Sequence, residues 1–132
     1  MAMQASVLMQ QRIRDALAAA PALAGVPVFD GPPADARPPY LTLGAETVTL
    51  RSWQGGGTAE HRFQVNLWDA RDGVAPAKAL MAGAIDAVLA MDRLLPGGRM
   101  LVVQLVKAAV KPGGQRWTQG LMEFRALVVM ED

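Results

Sequence analysis

The only histidine, His61, lies in "WQGGGTAEHRFQVNLWDARDG", residues 53–73, with three consecutive glycines and two of the three tryptophans. An imidazole titrates near neutral pH and serves as a general base when a second group orients it. Glu60, Arg62 and Asp69 are the nearby groups that could do so. A nucleophile is missing, however. No Ser or Thr stands in a recognisable nucleophile setting and no GxSxG occurs. Activation needs such a partner, so the sequence assigns His61 to a strand edge beside a loop, not to catalysis.

The glycines invite a phosphate reading, and their context rejects it. A phosphate loop needs GxxxxGK[ST] between a strand and a helix, so that backbone amides meet the helix N-terminus. Gly55, Gly56 and Gly57 lead into a strand pattern, no GK follows, and GxGxxG is also missing. With one His and no Cys, metal chemistry would fall to carboxylates alone, and neither DxDxDG nor HExxH is found. Asp69 and Asp72 fit turn and cap duties. The sequence therefore assigns no catalytic residue, no cofactor and no metal.

Composition narrows the partners. The formal net charge is +1 and charged residues make up 19%, without the basic excess of a nucleic-acid footprint. Trp53, Trp68, Trp117 and Tyr40 could stack on bases. Yet Arg51, Arg62, Arg116 and Arg125 are interleaved with Glu46, Glu60, Asp69 and Glu123, so the aromatics read as core or protein contacts. Of eight methionines, Met81 and Met122 read as core filler. A length of 132 residues gives one domain, 1–132. "ALAAAPALA" at 16–24 is too weakly apolar, and broken by Pro21, to read as a signal peptide. No apolar run reaches the length of a membrane helix.

Periodicity supplies the elements. Residues 6–20 read as a helix with Met9, Ile13, Ala16, Leu17 and Ala20 on one stripe, Ser6 at its N-cap and Pro21 at its end. The proline-rich segment 21–39 is a surface loop with an edge strand at 26–29. "YLTLGAETVTLRSW" alternates and breaks near Gly44–Ala45, which predicts a bulge. "HRFQVNLWD" puts Phe63, Val65 and Leu67 on one face, and with the preceding strand makes a hairpin. Asp72 caps a second helix over 74–91, buried through Ala77, Met81, Ala84, Ile85 and Val88, with Pro76 in its first turn. "LPGG" stops that helix. Two long strands follow, joined at "KPGG", 111–114, and long enough to bend or to project past a small core. The expected fold is α+β, a mostly antiparallel sheet with two helices packed on one face.

The phrases "LMQQRIRDALAAAPAL" (8–23), "PPYLTLG", "VNLWD" and "MEFRALV", in this order, resemble the tail terminator (tail completion) proteins of long-tailed phages, prophages and gene transfer agents. The likeness spans about residues 6–130. It implies a ring, commonly hexameric, at the head-proximal end of a tail tube. Such a ring caps tube polymerisation and joins the tube to a head-side connector, while DNA passes through the channel. The implied partners are the chain itself, the major tail tube protein and the head-side stopper, in a virion assembled in the bacterial cytoplasm, with no membrane. No catalytic residues carry over. Two other readings remain: a head-side stopper or neck protein, and a small-molecule-binding α+β module. Flexible tips in which glycines accompany a tryptophan suit protein contacts. The expected contact residues are therefore Trp53, Gly55, Gly56, Gly57, Arg116 and Trp117.

Overall fold

The computed structural model describes residues 2–31, 35–51, 57–113 and 117–131. Helix α1 spans Ala2–Ala19 and ends before a 3₁₀ turn at Pro21–Leu23. Strands β1 (Val28–Phe29), β2 (Tyr40–Leu50) and β3 (Gly57–Asp69) follow, then helix α2 (Ala75–Ala90), β4 (Leu94–Leu95), β5 (Gly98–Gly113) and β6 (Trp117–Met130). The strands form one six-stranded sheet in the order β1-β2-β3-β6-β5-β4. β1 pairs parallel with β2, and the other four pairings are antiparallel. The α+β class agrees with the periodicity.

The core follows from the two repeats of the sequence. Every second residue of β3 from Ala59 to Asp69, and of β6 from Thr118 to Val128, is buried, as period-two alternation demands. Phe63 and Phe124 stack across that ladder with ring centroids 5.3 Å apart. Ala5, Met9, Ile13 and Leu17 of α1 and Ala77, Met81, Ala84 and Val88 of α2 join the same apolar cluster. Met81 and Met122 are both inside it, as the sequence suggested. Gly120 lets α2 approach: a Cβ there would lie 2.6 Å from the Met81 sulfur. Gly83 does the same on the helix side, where a Cβ would lie 2.8 Å from Ala22.

Several local expectations are corrected. α1 begins four residues before Ser6, so Ser6 is not a cap. Its hydroxyl donates to Glu46 of β2. Asp72 does not cap α2 either. The N-cap is Val74, without a side-chain hydrogen bond, and Pro76 occupies the first turn as expected. "LPGG" does more than stop a helix: it folds β4 back on β5 through Gly97, whose φ of +79° suits glycine. A two-residue strand carries too little alternation to register in a sequence pattern. The break near Gly44–Ala45 is present as a register shift between Leu43 and Glu46. β5 carries shifts between Met100 and Val102 and between Leu105 and Lys107, the bending that its length called for.

Candidate functional site

His61 is not at a strand edge. It lies in β3, between β2 and β6, opposite Val48 and Ala126, with no exposed surface. Its Nδ1 is 3.1 Å from Oε2 of Glu46, and Glu46 also accepts from Ser6. None of the expected partners, Glu60, Arg62 or Asp69, orients it. Burial pushes the Glu46 carboxyl up, but hydrogen bonds from His61 and Ser6 and the His61 charge more than reverse this, leaving it below the usual range. Ser, His and a carboxylate thus come together, but in the wrong order for catalysis. A working triad places the imidazole between the hydroxyl and the acid. Here the carboxylate is in the middle: it holds both the Ser6 hydroxyl and the imidazole, and the imidazole does not bond to Ser6. The cluster anchors α1 to the bulge of β2.

A second polar cluster lies on the other face of β3. Glu60 is nearly enclosed, and three guanidinium groups reach it: Arg51 at 3.0 Å, Arg62 at 3.3 Å and Arg125 at 2.9 Å. The hydrogen bond from Arg125 leads in pulling its carboxyl down to about 2, against the opposing effect of burial and with help from Arg62 and Arg51. The sheet register explains the need. Arg62 pairs directly with Arg125, and like charges opposite each other are destabilising. Glu60 neutralises that pair. Arg125 also donates to Gln104 of β5 at 2.7 Å, tying three strands together.

An aromatic row crosses one end of this face. Phe29 meets Tyr40 edge-on at 5.9 Å, and Trp68 meets Trp117 edge-on at 6.5 Å. The Trp68 indole donates to Thr42 at 3.3 Å. At the same end Asp69 receives bonds from the Ala70 and Arg71 amides and the Arg71 side chain, and its carboxyl is lowered despite burial.

Of the expected contact residues, Trp53, Gly55, Gly56 and Arg116 lie outside the described residues. The other two are far apart. Gly57 pairs with Met130 at one end of the β3–β6 ladder, and Trp117 lies just beyond the Asp69–Thr118 pair at the other. The strand rise makes that separation about 40 Å. Trp117 is half spent within the chain, packed on Trp68 yet still 38% exposed.

A cleft of about 700 Å³ between α1 and the segment leading into β1 includes Gln11, Arg14, Asp15 and Val28 in its wall. Its charged groups are already engaged: Arg14 binds Asp30 and Asp15 accepts from Gln11. Among the described residues no group of three or more His, Asp or Glu gathers as metal ligands. No helix among them is long and apolar enough to cross a membrane.

Comparison with known proteins matches this architecture to phage-like tails. The profile of the family described as "Tail completion protein gp17" matches residues 11–129. A chain in the solved structure "Virion of native gene transfer agent (GTA) particle" superposes with a TM-score of 0.77 and 29% identity, over 93% of this chain and 92% of that one. No curated protein matches the sequence.

Proposed function

The chain belongs to the family of tail completion protein gp17, and from that premise we propose that it is a tail terminator. In this reading it forms a ring, hexameric by the resemblance, at the head-proximal end of a phage-like tail tube. The ring stops tube growth, meets the tube protein on one side and the head-side stopper on the other, and lets DNA through. The role is structural and the location is the virion. The family match along residues 11–129 carries the reading, and the likeness to a chain of a gene transfer agent virion supports it.

The geometry is compatible in three respects. The polar clusters at His61 and Glu60 are ties between elements: Glu60 is held by three guanidinium groups, and His61 is wholly buried with Nδ1 on Glu46 and Nε2 without a partner among the described residues. The sheet, taken as mostly antiparallel with both helices on one face, leaves its other face and both edges for neighbours. Gly57 and Trp117 mark opposite ends of the long ladder, as a subunit between two axial partners requires. Trp53, Gly55, Gly56, Gly57, Arg116 and Trp117 are the proposed contact positions.

The test is electron microscopy of particles from cells lacking the gene. Overlong or unattached tails are expected, and normally joined particles would reject the role. Complementation with Trp53→Ala or Trp117→Ala then tests the contact positions: each is expected to lower the yield of joined particles at least several-fold. Wild-type yield with both variants would remove these residues from the interface.

A further inference from the structure

Among the described residues, both long edges of the sheet are covered only in part. β1 covers β2 only at Leu41 and Thr42, and β4 covers β5 only at Gly98 and Arg99. One further backbone bond, from the Met100 amide to the Arg93 carbonyl, extends the β4 side. Beyond these, among the described residues, β2 from Gly44 to Leu50 and β5 from Leu101 to Gly113 have a strand partner on one side only. Such edges present unpaired amides and carbonyls and are normally guarded by charge. The distal part of β5 is guarded by Lys107 and Lys111. The stretch Leu101–Val106 has no charged side chain, although a register shift falls at each of its ends, and Leu101, Leu105 and Val106 are exposed there.

The β2 side carries a matching apolar strip. Leu50 is 69% exposed at the end of β2. Along α1, Arg14 reaches Asp30 just beyond β1, and Gln10 lines a crevice with Gly44 and Glu46. Met3 and Val7 continue that helical stripe at spacings of three and four. They are 66% and 67% exposed.

Strand direction selects the occupant. β2 is antiparallel to β3, β3 to β6 and β6 to β5, so β2 and β5 run in opposite directions. A rotation about an axis along the strands preserves those directions. It therefore sets β5 of one copy antiparallel to β2 of the next, continuing the alternation of the sheet. A two-fold pairing of β5 with β5 would satisfy one edge only, and would leave Leu50, Met3 and Val7 in water.

We propose that β5, through Leu101–Val106, adds to the β2 edge at Glu46–Leu50 of a second copy, with Met3 and Val7 covering the seam. The contact is heterologous, the kind that closes into a ring when its rotation closes, and its backbone pairing is strand addition. The inference rests on the ring reading and specifies its lateral surface.

The chain has no native cysteine, so cross-linking is clean. Full-length chains with Val48→Cys or Leu50→Cys on β2, which share the face of Leu105, combined with Leu101→Cys or Leu105→Cys on β5, are incorporated into particles and treated with a short bismaleimide. At least one combination is expected to give a ladder of multimers, and the four single-cysteine chains none. Dimers from Leu101→Cys or Leu105→Cys alone, with no ladder from any double variant, would overturn the proposal in favour of β5–β5 pairing. Chains present in particle rings without any ladder would overturn it while leaving the ring standing. Chains absent from particles that still join normally would reject the ring reading as well.

Discussion

Along β6 every second residue from Thr118 to Val128 is buried, while on neighbouring β5 Leu101, Leu105 and Val106 are exposed. The two strands share a ladder and a similar apolar content. What separates them is coverage: β6 has a strand on both sides from Thr118 to Met130, whereas β5, among the described residues, loses its outer partner after Gly98 and Arg99, apart from one bond at Met100. The same contrast holds between β3, with Val65 and Leu67 wholly buried, and the open half of β2, where Leu50 is exposed. The centre of the sheet is finished within one chain, and the edges are apolar without being finished. Substitutions at the centre should therefore act on folding, and substitutions at the edges on assembly.

Four outcomes would sharpen or break this contrast. Phe124→Ala removes one ring of the stacked pair in the core and should cost about 3–5 kcal/mol, read as a lowered midpoint in denaturant. Gly120→Val drives a side chain toward the Met81 sulfur, and overpacking there should cost about 1–3 kcal/mol, read by thermal unfolding. A smaller effect is expected from acid. The Glu60 carboxyl is depressed to about 2 from 4.5, so its stabilisation is complete above pH 4.5 and fades as pH falls toward 2. Urea unfolding across that window should show the loss, with a shallower pH slope in Glu60→Gln. Smallest for folding, Leu101→Lys and Val106→Lys should change stability by less than about 1 kcal/mol. If these edge variants unfolded as readily as Phe124→Ala, the contrast would fail.

What the sequence revealed depended on how local each signal was. Alternation in "HRFQVNLWD" and the helical stripes of α1 and α2 identified the buried faces, because both repeats are complete within one element. The β2 bulge was readable from two small residues, Gly44 and Ala45, interrupting an alternating run. The polar clusters were not readable. Ser6, Glu46 and His61 come from three elements, and Glu60 meets Arg125 across 65 positions, which only the strand register brings together. His61 was misplaced for the same reason: whether β3 was central or marginal depended on β6 pairing with it. The open β5 edge was hidden too, since exposure there follows from the shortness of β4 and not from the residues of β5. The family likeness was legible from phrases such as "PPYLTLG" and "MEFRALV", which keep their order along the chain.

The most direct measurement carries the double edge variant, Leu101→Lys with Val106→Lys, through two assays: thermal unfolding of the purified chain, and electron microscopy of particles in which it replaces the native protein. An unfolding midpoint within a few degrees of the native one, with tails unjoined or overlong, is the predicted result. Normal joined particles containing the double variant would contradict the account.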